Sequence, residues 1–233
     1  VDGRLRAELR LLREALLKGK GLVYAVEIEG PGLGRRTLYP AEHPQARECY
    51  EEMSPELIEN VVEGKVSRRF FCPLPPMGKA LIFGSGPDAV ALACRLGELG
   101  LLVWTADPRP GRLRSPEWER ARCHRIEGGW EEARAAAGPD EETAVVILTH
   151  SFALDLETLQ GALGSPAAYV GVTGPARRTE RFLAELSTLE VRPKPGVLRS
   201  PAGLDVGAEA PMEVALSIAA EILGARALLK NVP

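Results

Sequence analysis

Residues 79–107 constrain this chain more than any other stretch. Ala80 to Phe83 form a short apolar run closed by Gly84, which reads as a buried strand. Gly84, Gly86 and Ala89 then spell G-x-G-x-x-A. The first glycine permits a tight turn, the second lets a ligand approach the backbone, and the small Ala89 lets the next helix lie close to the sheet. Pro87 suits a first helical turn, where a missing N–H costs nothing. The helix runs to about Leu99, with Gly100 as its stop. Leu101 to Thr105 is the second strand, and Asp107 stands just past its end, about 20 positions beyond the glycines. Strand, glycine loop, helix, strand and acid in this order open a Rossmann-like sheet. The fold alone fixes no activity.

The rest of the chain extends this start. Thr143 to Thr149 is a β-branched strand ending in Thr149-His150-Ser151, and Asp155 reads as the N-cap of a helix to about Leu163. Ala168 to Val172 is a further strand, followed by a basic helix start at Arg177-Arg178. Arg122 to Ile126 and Gly129 to Ala137 supply a short strand and a helix between these units, and residues 108–121 read as a surface loop. Residues 192–210 form a long loop that Pro211 ends by opening the last helix. Alternating strands and helices over 79–233 predict an α/β fold, a doubly wound parallel sheet.

The N-terminal part differs. Leu5, Leu9, Leu12, Leu16 and Leu17 predict an amphipathic helix, and Leu22 to Glu29 with Arg36 to Tyr39 predicts a hairpin. Residues 44–63 read as one or two helices, the second started by Pro55. Val66 to Cys72 reads as a strand, and the Pro-rich 73–78 as a stiff linker. The expectation is a small α+β domain over 1–72 and a Rossmann-like cofactor-binding domain over 79–233. A net charge of −3 gives no footprint for nucleic acid or an anionic membrane. No apolar run approaches the length of a membrane span, no basic-then-apolar leader appears, and the cysteine usage fits reduced, cytoplasmic thiols. Cys49, Cys72, Cys94 and Cys123 lack C-x-x-C spacing, which favours free thiols over a metal site.

In such sheets ligands sit beyond the carboxyl ends of the strands, where the strand order reverses. Gly84, Ser85 and Gly86 offer backbone N–H groups and a helix dipole to a phosphate. Asp107 suits a ribose diol, the paired amine and ring N–H of a pterin, or a simple turn start. Arg109, behind it, is placed to gather an anionic group. His150 is a proton shuttle, a ligand contact or a histidine satisfied by local backbone. Arg177 and Arg178 after Gly174 suit a second anionic group, or form an ordinary basic patch. Asp205 and Glu209, on a loop punctuated by Gly203 and Gly207, are within reach of the site. Glu213 alternatively serves the helix start.

Four stretches, in order, resemble the XdhC/CoxI family of xanthine dehydrogenase accessory proteins. They are Leu81-Ile-Phe-Gly-Ser-Gly-Pro-Asp-Ala89 with Asp107-x-Arg109-Pro110; Thr149-His150 with Asp155-Leu156-x-x-Leu159; Tyr169-Val-Gly171-x-x-Gly174-x-x-Arg177-Arg178-Thr179; and Pro201-x-Gly203-Leu204-Asp205-x-Gly207-Ala208-Glu209-x-Pro211-x-Glu213. The third block reads Gly174-Pro175-Ala176-Arg177-Arg178 where the family pattern has Gly-Ser-Arg-Arg-Lys. The N-terminal part carries Gly30-Pro31-Gly32-Leu33-Gly34 but no Gly-Gly-Cys. The resemblance implies a cytoplasmic, dimeric, non-catalytic maturation factor that binds molybdenum cofactor. Such a protein protects the cofactor while sulfur is installed, in concert with a cysteine desulfurase. It then delivers it to a molybdenum hydroxylase of the xanthine or carbon monoxide dehydrogenase type. The pterin edge is then expected at Asp107 and Arg109. The phosphate is expected at Gly84–Gly86 or at Gly174, Arg177 and Arg178, with His150 and the Gly203–Asp205–Gly207 loop completing the pocket. An NAD-dependent oxidoreductase, and a nucleotide-sensing domain without chemistry, are the alternatives.

Overall fold

The structure is a computed structural model that describes residues 10–12, 14–15, 20–62, 65–74 and 78–230. The expected first helix falls mostly outside these residues. Contacts divide the chain into two compact units, Val1–Met77 and Gly78–Pro233.

The first unit holds an antiparallel sheet of order β2-β1-β4-β3, formed by β1 (Leu22–Glu29), β2 (Arg36–Pro40), β3 (Glu56–Val62) and β4 (Lys65–Leu74), with a short helix α1 (Arg47–Glu51). The hairpin of β1 and β2 forms as the alternation predicted, Ala25 opposite Thr37. Val23, Ala25, Ala46, Cys49 and Phe71 make its small core. The expected second helix after Pro55 is instead β3, paired with β4 from Glu56↔Phe71 to Val62↔Lys65. Leu57, Ile58, Val61 and Val62 recur at a helical spacing, but pairing with a long neighbouring strand overrides that local pattern. Pro73 and Leu74, expected in the linker, are the last residues of β4 and lie opposite Val23 and Leu22. β3 ends opposite Phe71, so Pro73 has a neighbour on one side only, where a proline is tolerated.

The second unit is a six-stranded parallel sheet of order β10-β9-β8-β5-β6-β7. Its strands are β5 (Lys79–Phe83), β6 (Leu102–Ala106), β7 (Cys123–Ile126), β8 (Thr143–Ile147), β9 (Tyr169–Val172) and β10 (Leu198–Arg199). Its helices are α2 (Pro87–Glu98), α3 (Trp130–Ala137), α4 (Phe152–Leu163), α5 (Ala176–Thr188) and α6 (Pro211–Lys230). β5, β6 and β8 are buried on both faces, as a covered parallel sheet requires. Ala80, Ile82, Val103 and Val146 meet Leu92 and Leu96 of α2 and Ile218 and Ile222 of α6. Leu81, Phe83, Val145 and Ile147 meet Trp130, Leu159 and Phe182 of α3, α4 and α5 on the opposite side. The doubly wound sheet read from the sequence is therefore present. The 108–121 stretch is more than a surface loop. It winds into two 3-10 turns that bury Leu113 and Trp118 against α2's side of the sheet. The strand order reverses between β5 and β8, so the ends of these two strands mark the place for a ligand.

Candidate functional site

Gly84 leaves β5 with φ +127°, and a Cβ built on it would lie 2.5 Å from the Leu148 carbonyl oxygen. Only glycine lets the two strand ends approach this closely. Gly84→Ala therefore costs about 1–3 kcal/mol, read as a lower melting temperature. Gly86 is different. It caps α2 with φ −74° and no side-chain cap, and a Cβ there meets nothing within 4 Å. The head of α2 thus faces open space, with N–H groups available to an anion. Gly86→Ala should leave stability nearly unchanged.

Asp107 is fully buried and its carboxylate is spoken for from within the chain. Ser85 Oγ donates to Oδ2 at 2.6 Å. The Arg109 backbone N–H and Nε donate to Oδ1 at 3.0 and 2.8 Å, and Nη2 donates to Oδ2 at 2.7 Å. Burial pushes the Asp107 carboxyl up, but the hydrogen bonds from Arg109 and Ser85 outweigh it and hold it below the usual carboxylate range. Four donors fill the roughly four lone-pair positions of a carboxylate. Neither a ribose diol nor a pterin edge finds an open acceptor there while Arg109 stays in place.

A second buried carboxylate organises the neighbouring loops. Asp155 was expected to cap α4; it lies instead inside the first turn and is fully buried. Its Oδ1 accepts from the Thr149 hydroxyl and backbone N–H, and its Oδ2 from Arg178 Nη2 at 2.6 Å. Arg178 also donates to the Thr173 carbonyl and lies over the Phe182 ring. Its guanidinium is thus committed to fastening the β9 loop to the β8 loop. Gly174, at φ +133°, packs against the Arg178 stem. His150 adopts φ 59° and is mostly exposed, with Nε2 3.7 Å from Asp88 in the first turn of α2. The Gly84 loop, the Thr149–His150 loop and the Gly174–Arg178 loop therefore meet: Gly84 approaches Leu148, His150 reaches α2, and Thr149 joins Arg178 through Asp155.

The 201–210 loop is held from behind. Glu221 Oε2 accepts from Tyr169 Oη at 2.6 Å and from the Gly203 N–H at 2.8 Å. Burial, then the Glu221 hydrogen bond, raises the Tyr169 phenol well above its ordinary range. A Cβ on Gly203 would strike Ser217 Oγ at 2.5 Å. Glu213 bonds the N–H groups of Glu209 and Ala210, which makes it a helix-capping group. Arg177, Asp205 and Gly207 are exposed, and among the described residues no hydrogen bond or ion pair joins them to the Ser85–Asp107–Arg109 cluster.

A cavity of about 240 Å³ opens at the same edge of the sheet, lined by Phe83, Pro108, Trp130, Thr149, Leu154 and Glu157 among others. It is smaller than the usual ligand pocket of about 300–1,000 Å³, so it suits one heterocycle and not a whole dinucleotide. Glu157 is exposed and has no ion pair among the described residues, whereas its neighbour Glu132 is spent on the Gly129 N–H. The sequence reading missed this wall. The one available signal was that Trp130 opens α3 and Glu157 lies within α4, each a helix that follows a strand end.

Residues 80–222 match the XdhC Rossmann domain. The chain belongs to the XdhC family. A relative from Bacillus subtilis (strain 168), described as a probable xanthine dehydrogenase subunit, is 30% identical over 162 residues, 70% of this chain and 47% of that protein. The uncharacterized protein YqeB of Escherichia coli (strain K12) is 36% identical over 80 residues, 34% of this chain and 14% of that one. This XdhC-family chain thus spans less than half the length of either curated relative. A solved structure of a xanthine dehydrogenase from Bacillus halodurans superposes with a TM-score of 0.65 at 23% identity, over 100% of this chain and 67% of that one. At that identity the likeness speaks for the fold. The XdhC match covers the glycine loop, both buried carboxylates and the Glu221 anchor. No helix among the described residues is long and apolar enough to cross a membrane.

Proposed function

We propose that this chain binds molybdenum cofactor as cargo, shields it, and delivers it to a molybdenum hydroxylase of the xanthine or carbon monoxide dehydrogenase type. The observation that carries the reading is the unobstructed head of α2 at Gly86, at the strand-order reversal of an XdhC Rossmann domain. A phosphate seats on those N–H groups. The heterocycle enters the neighbouring cavity against Phe83, Pro108 and Trp130. Asp107 is saturated, so the acceptor for the pterin's amine and ring N–H in this reading is Glu157. His150, mostly exposed beside α2, and the exposed Arg177 and Asp205 belong to the rim that meets the cargo or its recipient.

The role is delivery without chemistry of its own. Burial pushes the thiols of Cys49, Cys94 and Cys123 up, so none of these is held as a reactive thiolate. Sulfur for the cofactor then comes from another protein, and a cysteine desulfurase is the proposed donor. A cytoplasmic homodimer is the proposed working form.

The test is a melting-temperature titration of the purified chain. Micromolar molybdenum cofactor should raise the midpoint, by the mass-action stabilisation any native-state ligand gives, while NAD should not. Gly86→Ala and Glu157→Gln should each reduce the rise. A clear rise with NAD and none with the cofactor would overturn the reading.

A further inference from the structure

The first unit carries a charged cavity that the Rossmann domain does not explain. On one face of its sheet, α1 and the preceding Ala46 cover the half around Phe71 and Ala25, α1 through Cys49. Beyond that core, the same face opens into a cavity of about 180 Å³ lined by Ala25, Glu27, Arg35, Thr37, Tyr39 and Arg69. The pleat puts these residues together: Ala25 faces Thr37 across β1 and β2, and Glu27 faces Arg69 across β1 and β4.

The floor of the cavity is Glu27, only 5% exposed. Its Oε1 is committed. It accepts from the Gly32 N–H at 3.0 Å and from Ser67 Oγ at 3.1 Å. That carboxylate thereby fixes the glycine-rich hairpin, and a Cβ on Gly32 would fall 2.2 Å from its Oε2. Arg69 Nε stands 3.8 Å from that Oε2, too far for a hydrogen bond. Arg69 is thus charge-compensated, and its guanidinium makes no hydrogen bond among the described residues. Arg35 forms no ion pair among the described residues. Two guanidinium groups against one carboxylate leave one surplus positive charge, with many more N–H donors than the cavity has acceptors.

We propose that this cavity is a binding site for a small oxyanion: a phosphate group, free or carried on a small molecule, held between Arg35 and Arg69. Two guanidinium groups lining one small cavity offer planar donor forks that phosphate oxygens take up bidentately. The volume admits a phosphate group and excludes a large ligand. The Tyr39 ring forms part of the wall and can add a hydroxyl contact. The site is independent of the cargo reading for the Rossmann domain.

The test is calorimetric titration of the full chain with inorganic phosphate at fixed ionic strength, repeated with glycerol phosphate to tell a free anion from a carried group. Saturable binding is expected with one or both. Arg35→Gln and Arg69→Gln should each weaken it about tenfold or more, as loss of a charge-assisted contact does. Arg36→Gln removes the same charge from the other face of the strand and should leave binding intact. Gly86→Ala, at the head of α2, should also leave it intact. Arg35 is exposed, so its loss does not endanger folding and the measurement stays decisive. No saturable binding, equal weakening by Arg36→Gln, or loss in Gly86→Ala but not in the arginine variants would each overturn the proposal.

Discussion

Asp155→Ala is expected to unfold at a much lower temperature than the native chain, with a loss of about 3–5 kcal/mol. The magnitude follows from what is left behind. Asp155 is fully buried, and its removal strands the Thr149 hydroxyl and N–H and takes the acidic partner from Arg178, itself 17% exposed. A buried charge without its partner is more costly than the pair was worth. For a chain of this length the midpoint should fall by roughly 6–20 °C. Asp155→Asn keeps the volume and one acceptor and should lose less. A double-mutant cycle with Arg178→Met checks the mechanism. The two losses should be strongly non-additive, since Met removes the stranded charge. Additive losses would mean that the two side chains act separately.

The second large effect concerns the acid at the end of β6. Native protein should show no NAD binding at micromolar concentration, because both Asp107 oxygens are occupied. Arg109→Ala removes the two guanidinium bonds, one from each oxygen, and leaves those of Ser85 and the residue-109 N–H; a ribose diol then finds an open acceptor position on each oxygen. NAD affinity should rise about tenfold or more, the worth of a charged hydrogen-bond pair. The same variant should change the acid side of the stability curve. Asp107 is held below its unfolded value, so its contribution is present above the ordinary carboxylate pKa of about 3.9 and fades as pH falls through the folded value. Without Arg109 that acid-side loss should shrink. Native protein that binds NAD tightly, or a variant with an unchanged acid limb, would show that Arg109 does not occupy the seat.

How much of this was readable beforehand differs between the two units. In the Rossmann unit, period and punctuation coincide. Gly84, Pro87 and Gly100 mark real boundaries, and apolar runs such as Ala80–Phe83 are too short for helices. In the first unit, Leu57, Ile58, Val61 and Val62 fit a helix as well as a strand. The stronger cue was Glu63-Gly64, two residues between two runs, which is a hairpin spacing. At the site, residue types were legible but their partners were not. The sequence places an acid at 107 and an arginine at 109. Only the fold shows that the arginine turns back on the acid and does not face a ligand. Asp155 misled for a related reason: an Asp near a helix start is usually a cap, and nothing local reveals that Thr149 and Arg178 converge on it. The Phe83–Trp130–Glu157 wall is assembled from three elements distant in sequence, so no motif announces it.

Glu221 has a practical consequence for anyone wishing to transplant the 201–207 segment. The segment hangs on a carboxylate nearly three turns into α6 and on a phenol in β9. Copying those seven residues onto another α/β scaffold would graft a slack ribbon. The graft has to be a three-part module: the ribbon, an acid at the matching depth of the terminal helix, and a tyrosine on the adjoining strand.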